Sequence, residues 1–382
     1  MAPPPRIVTL VVDELSGVLP PFEVISPWWM EAGPVVNQAK LQFGIDITVV
    51  RLLDGERFPG GPVTYLVEAD GVDADDLAPF AGHLSDDPRR PAYAEVGGVA
   101  SLVDWADGEL ARTAIEREGP ATQFRTWNLS CLIRVPTTDG ELWLKAVPDF
   151  FAHEGDVMAA LAAADPTLVP EVVAARPGTT LMKHAGDADG YAVGPDAHFE
   201  SVARFHRAAT SIDLTGLGSV PRFDLDALVA SLSDLDRRHG QDLEVGERER
   251  MARLIDECGD RWRAAGPVDD ALVHGDLHGG NLRLADDGPD VIIDWGDSAV
   301  THPLFDLVVL DSYTPDWPSS ATDRWLDLLG VGRSEWQAFR PLASMRQAIV
   351  YRGFCDSIEA SERIYHINDI VPALRKGLST LE

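Results

Sequence analysis

Short apolar runs broken by turn clusters fill the first third of the chain. Their density predicts strands at 7–12, 47–53 and 63–67, the last two separated by Asp54-Gly55 and by Pro59-Gly60-Gly61-Pro62. Helical spacing is found at 34–43 and, after a polar loop at 85–91, at 99–118, where Gly119-Pro120 stops it. A domain boundary is placed there. Residues 1–120 thus form a small α/β or α+β module of accessory character, in which no chemical motif is found.

The pattern changes from residue 121. Two runs rich in aliphatic and aromatic residues, 122–135 and 141–147, are joined by Pro136-Thr-Thr-Asp-Gly140, a hairpin signature. A helix is predicted at 151–164, stopped by Asp165-Pro166, followed by strands at 169–175 and 180–183. Residues 121–186 are therefore a small sheet with one helix. From 187 to 382 the chain is mainly helical, with apolar residues three and four apart at 197–211, 225–239 and 247–265, and helices again from 303 to the end. Arg352 with Asp356, and Glu359 with Arg363, are four apart and are expected to pair on an exposed helix face. The helical pattern breaks only at 271–297.

That break holds the chemistry. Leu272-Val-His-Gly-Asp-Leu-His-Gly-Gly-Asn281 carries an Asp, two His and an Asn among three glycines. Such a string suits a turn-rich loop in which polar side chains converge. The apolar triplets 282–284 and 291–293 then flank a turn at 285–289, and folding that hairpin back brings Asp294 beside Asn281. An amide oxygen and a carboxylate there are hard ligands of the kind Mg²⁺ takes, with phosphates and water completing its shell. Asp276 faces the same pocket without being needed for the metal, which makes it the candidate base. His274, His302 and Asp306 read as structural.

Composition narrows the partners. Against 32 Lys and Arg stand 62 Asp and Glu, a formal net charge of −30 over 382 residues, which disfavours nucleic acid and anionic membrane surfaces. The 45% of hydrophobic residues is enough for a folded core. Cys131, Cys258 and Cys355 are far apart and outside any CxxC spacing, so neither a disulfide framework nor a zinc cluster is indicated, and a cytoplasmic protein is expected. The apolar run 7–12 meets Asp13 and Glu14 too soon for a signal peptide, and no run approaches the roughly 20 apolar residues of a membrane span.

His274-Gly-Asp-Leu-His-Gly-Gly-Asn281 followed by Ile293-Asp-Trp-Gly-Asp297 resembles the signature pair of the aminoglycoside phosphotransferase and choline kinase-like superfamily, which shares the protein-kinase fold. The resemblance covers roughly residues 121–365. It implies an α+β, bilobal kinase-like fold, a small sheet lobe and a mainly helical lobe, with 1–120 as an extra module. It implies ATP and Mg²⁺ as cofactors, with Asp276 orienting or deprotonating the acceptor hydroxyl and Asn281 and Asp294 holding magnesium. It also asks for a strand lysine on the α- and β-phosphates and a helix glutamate supporting it. Lys145 in Leu142-Trp-Leu-Lys-Ala-Val147 and Glu154 fill those places, while Met182 and His184 stand where the adenine edge is expected.

Two departures matter. Where protein kinases carry a glycine-rich loop, this chain has Arg125-Thr-Trp-Asn-Leu-Ser130, so Ser130, Asn128 or backbone amides are left to cradle phosphates. His302-Pro303 follows Asp294-Trp-Gly too closely for a long activation segment, which disfavours a regulated protein kinase. The resemblance thus implies a kinase acting on a hydroxyl of a small molecule, such as an amino sugar or aminoglycoside, and the acidic charge favours a cationic acceptor. A catalytically silent nucleotide-binding or scaffold protein is the alternative.

Overall fold

The structure, a computed structural model, describes residues 3–13, 16–82, 84–193, 195–284, 289–313 and 317–381. The chain divides into two compact units: Met1–Ala152 with Val172–His184 and Phe354–His366, and His153–Glu171 with Ala185–Gly353 and Ile367–Glu382.

The first unit holds two sheets. In one, β1 (Arg6–Val12) is central: it pairs parallel with β5 (Gly61–Asp70) and antiparallel with β2 (Gly17–Val18) and β3 (Phe22–Val24), while β4 (Asp46–Gly55) flanks β5 and β6 (Ala78–Pro79) flanks β2. Helix α1 (Ala32–Phe43) turns Ala32, Val35 and Ala39, spaced three and four apart, onto this sheet's core beside Trp29 and Tyr65. Arg6 is fully buried at the start of β1. Its charge is tolerated because its guanidinium donates to the carbonyls of Ser26, Trp29 and Glu31 and to the Tyr65 hydroxyl.

The other sheet is antiparallel throughout, in the order β10 (Val172–Arg176), β11 (Thr179–Lys183), β9 (Gly140–Ala146), β8 (Ser130–Thr137), β7 (Thr122–Trp127). Along β8, Cys131, Ile133 and Val135 alternate inward. Helix α2 (Gly98–Leu110) covers that face: its Val99, Leu102, Ala106 and Leu110 share one core with Ile133, Val135, Leu142 and Leu144. Each fully buried aliphatic chain adds on the order of 1.5–3 kcal/mol, so a helix from the first 120 residues is a main support of this second sheet.

Three expectations are corrected here. The helix predicted at 99–118 ends at Leu110, because Thr113 bonds back to the Leu110 carbonyl and residues 116–118 pair with the β8–β9 turn instead. The run 122–135 is two strands, reversed over Asn128 and Leu129 with Trp127 opposite Ser130, a turn that carries no glycine to mark it. Glu359 does not pair on an exposed face. It is buried, and it binds Arg90 at 3.1 Å.

The second unit is mainly helical: α3 (Glu154–Ala164), α4 (Pro195–Ser211), α5 (Leu225–His239), α6 (Val245–Ala264), α7 (Leu304–Tyr313), α8 (Ser319–Leu329), α9 (Arg333–Ser344), the start of α10 (Arg346–Ser357), and α11 (Ile370–Ser379). Two ribbons interrupt it, β12 (Ala271–Val273) with β15 (Ala299–Thr301), and β13 (Leu282–Arg283) with β14 (Val291–Ile292). The turn predicted at 285–289 lies, for residues 285–288, outside the described residues. Among the described residues no helix is long and apolar enough to cross a membrane, and Cys131, Cys258 and Cys355 are free and buried.

Candidate active site

β12 delivers the chain into the loop 274–281, and buried polar groups fix that loop's backbone. The Asp306 carboxylate, in the first turn of α7, accepts the N–H groups of His274 and Gly275 at 2.9 and 2.8 Å. Burial pushes the Asp306 carboxyl above its ordinary range, against the pull of His274, those two N–H groups and Arg346. The His274 ring accepts the Asp276 N–H on Nδ1, so its proton sits on Nε2 and is given to the Ile293 carbonyl at 2.9 Å. His274 is therefore a scaffold residue packed on Trp295. At Gly275, φ is +84° and a Cβ would stand 2.1 Å from the Asp297 carbonyl oxygen, which excludes any other residue.

Removing the Asp306 carboxyl leaves two buried N–H groups without an acceptor. At roughly 1–3 kcal/mol for each, Asp306→Ala is expected to cost about 3 kcal/mol, read as a lower urea midpoint. An unchanged midpoint would mean that water reaches those groups.

This frame brings three oxygen-bearing residues, Asp276, Asn281 and Asp294, to one loop and one hairpin end. Asn281 is buried and gives its amide N–H groups to the Asp276 carbonyl at 2.8 Å and to the Asp276 carboxylate at 3.3 Å, so its amide oxygen is the group that can ligate a cation. Ile293 donates its N–H to the Asn281 carbonyl, and Leu282 stands opposite Ile292. Asn281 and Asp294 thus occupy the same end of the hairpin. Asp294 has φ +68° and ψ +63°, a left-handed conformation uncommon outside glycine. Such strain persists where the surroundings hold it; here the Trp295 N–H is given to the buried Glu154 carboxylate at 3.0 Å. Among the described residues no set of three or more His, Cys, Asp or Glu is arranged to hold a metal alone. Two protein oxygens suit Mg²⁺ that takes its other ligands from phosphates and water.

Sequence reasoning missed the supports of Asp276. His278 accepts the Gly280 N–H on Nδ1 at 3.0 Å, leaving its Nε2–H toward the Asp276 carboxylate at 3.4 Å. Tyr191 stacks on the same ring, 5.9 Å between centroids, with its hydroxyl 2.9 Å from Nδ1. A Cβ at Gly279 would lie 2.8 Å from that tyrosine ring. Burial alone would lower the His278 pKa. The hydrogen bond and field of Asp276, with Asp294 and Asp189 behind, hold it above the ordinary value instead. Tyr313 and Tyr351 lie within the field of Asp276 and Asp369 as well: burial first, then those carboxylates, raises Tyr313, and burial first, then Tyr313, raises Tyr351 to about 12. No local spacing in the sequence ties Tyr191, Tyr313 or Tyr351 to Asp276.

In the first unit, Lys145 on β9 is buried between Leu132 of β8 and Thr180 of β11. Met182 stands between Trp143 and Val172, and the His184 N–H is already given to the Glu141 carbonyl. Ser130 accepts the Trp127 indole N–H at 3.1 Å. The Asn128 side chain is committed to Glu362 and His366.

The family model described as the phosphotransferase enzyme family (APH) matches residues 133–342. A comparison with curated proteins found no match. Among solved structures, the GDP complex of wild-type aminoglycoside 2'-phosphotransferase-IIIa is 16% identical, with a TM-score of 0.54 over 74% of this chain and 99% of that one. Macrolide 2'-phosphotransferase from Brachybacterium faecium, without ligand, is 17% identical, with a TM-score of 0.53 over 72% and 97%. A GDP and kanamycin complex of an aminoglycoside phosphotransferase is 16% identical, with a TM-score of 0.55 over 75% and 98%. At these identities the likeness is one of fold.

Proposed function

This chain belongs to the phosphotransferase enzyme family, and on that premise we propose that it transfers the γ-phosphoryl group of ATP, with Mg²⁺, to a hydroxyl of an amino sugar, aminoglycoside or similar sugar-like alcohol. The observation that carries this reading is the juxtaposition in one loop and one hairpin end of Asp276, Asn281 and Asp294, with Asn281 bonded to the Asp276 backbone.

Asp276 orients the acceptor hydroxyl for in-line attack on the γ-phosphorus and takes its proton as the new P–O bond forms and the bond from the γ-phosphorus to the β–γ bridging oxygen breaks, releasing ADP. His278 and Tyr191 hold that carboxylate's direction. Asn281 and Asp294 would supply two protein oxygens to Mg²⁺, which when bound would neutralise charge on the triphosphate. Lys145 is assigned to the α- and β-phosphates, Glu154 to its support, Ser130 to the phosphate side, and Met182 and His184 to the adenine side. Because the His184 N–H is used within the sheet, other backbone groups at that strand end meet the base. A cationic acceptor is favoured by the net charge of −30 and by Tyr313 and Tyr351, which feel the charges of both Asp276 and Asp369. The three free thiols suit a reducing cytoplasm.

The experiment is ADP or GDP release from ATP or GTP over a panel of aminoglycosides, amino sugars, neutral sugars and choline. Release with an amine-bearing alcohol, above the acceptor-free background, is expected. Nucleotide binding with no release for any acceptor would favour a silent scaffold. Asn281→Ala and Asp294→Ala are expected to shift the Mg²⁺ titration of turnover to roughly tenfold higher concentration. A titration that matches the parent removes that residue from the ligand set.

A further inference from the structure

The β7–β8 turn is held from below by side chains that the family resemblance does not account for. Asn128 is buried, and its amide is used at both ends. Its N–H group donates to a Glu362 carboxyl oxygen at 3.2 Å, and its carbonyl oxygen lies 3.0 Å from His366 Nε2. The other Glu362 oxygen accepts the Leu52 N–H of β4 at 3.0 Å. Leu52 sits between two irregularities in the β4–β5 register, on the strand edge that β5 leaves uncovered, so Glu362 also satisfies an edge N–H. Trp127 at the turn packs on Tyr365 and His366, with ring centroids 5.5 and 5.7 Å apart, and its carbonyl accepts the Tyr93 hydroxyl at 2.9 Å. Glu359, on the same segment, is anchored by Arg90.

We infer that Asn128, Glu362 and His366 form a tether that fixes the β7–β8 turn to β4 and so sets nucleotide affinity, with Glu362 a positioning residue acting through Asn128. The inference rests on the phosphotransferase reading, in which this turn borders the nucleotide phosphates. A protein-kinase glycine-rich loop is free to close over its ligand. Here the turn has no glycine, and its tip residue is buried and bonded on both sides. A turn preorganised in this way binds nucleotide without the cost of ordering it, and residues outside the matched 133–342 segment do the ordering.

Asn128→Ala and Glu362→Gln are to be compared with the parent by nucleotide titration and by steady-state kinetics. The expected result is about a tenfold rise in the Kd and KM for nucleotide, with kcat at saturation and the acceptor KM within about twofold. A folded variant whose nucleotide Kd stays at the parent value overturns the inference, as does an equal loss in all three parameters. Should both variants fail to fold, the wild-type protein decides. Nucleotide should slow amide exchange across 126–130 and 360–366 together, and protection of the first segment alone overturns the tether. If the wild-type protein binds no nucleotide at all, it is the phosphotransferase reading that fails.

Discussion

Asp276→Ala is expected to lower kcat by at least about a hundredfold while Mg²⁺-nucleotide binding stays near that of the parent. Proton acceptance and orientation of the attacking oxygen each contribute on the order of 10²-fold or more when lost, and a side chain that touches only the acceptor should leave ground-state nucleotide binding alone. The fold around it should persist. The His274 and Gly275 N–H groups are held by Asp306, and the Asp276 carbonyl is held by Asn281, none of which needs the Asp276 carboxylate. Asp276→Asn is the sharper version, since it keeps the shape and hydrogen-bonding reach but cannot take a proton. Single-turnover transfer and nucleotide titration, run on the same samples, check it. Intact chemistry with lost nucleotide binding would reverse the assignment and move Asp276 to the metal.

The loop and hairpin around Asp276 were legible because their determinants are local. Glycines at fixed offsets, and an Asn and an Asp flanking two apolar triplets that pair as a short ribbon, leave few ways to fold back. The helices at 225–239 and 247–265 were legible for the same reason, since apolar residues three and four apart encode one buried face. What was hidden depends on chain segments far apart in sequence. The 122–135 run hides a reversal because Trp127-Asn128-Leu129-Ser130 has no turn residue that demands a positive φ, and what stabilises the reversal is Glu362 and His366, more than two hundred residues away. Glu359 and Arg363 show the converse error. Their spacing is right for a surface pair, yet this stretch is a 3₁₀ helix packed into the first unit, where Arg90 reaches Glu359 first. Tyr191 reaches His278 across 87 residues, and no spacing rule carries such information.

Glu362→Gln is expected to make the protein progressively more stable, relative to the parent, as pH rises from about 5 to about 8. Burial first, and then the nearby Glu359 charge, pushes the Glu362 carboxyl from its ordinary 4.5 up to about 8, while the Leu52 and Asn128 N–H groups pull it down. A folded pKa above the unfolded one means full stability below about pH 4.5. Between there and pH 8 the unfolded chain releases a proton that the fold retains, so stability falls by up to about 1.4 kcal/mol per pH unit, roughly 5 kcal/mol across the window. Above it the loss is complete and the curve flattens. Glutamine cannot ionise, so its curve lacks this slope, and titrations remote from Glu362, including the repulsion within a chain of charge −30, cancel in the difference. Urea midpoints of the two proteins at several pH values between 5 and 9 measure it, with a gap that widens up to about pH 8 and then stays constant. Parallel curves would show that Glu362 ionises as an ordinary carboxyl, with water reaching it. A glutamate that costs stability at neutral pH, where glutamine would fit the same space, belongs to a site kept for what it positions. The gain in stability from Glu362→Gln should therefore come in the same protein as the loss of nucleotide affinity, since one amide N–H₂ now faces a donor, either at Leu52 or at Asn128, and one end of the tether is lost.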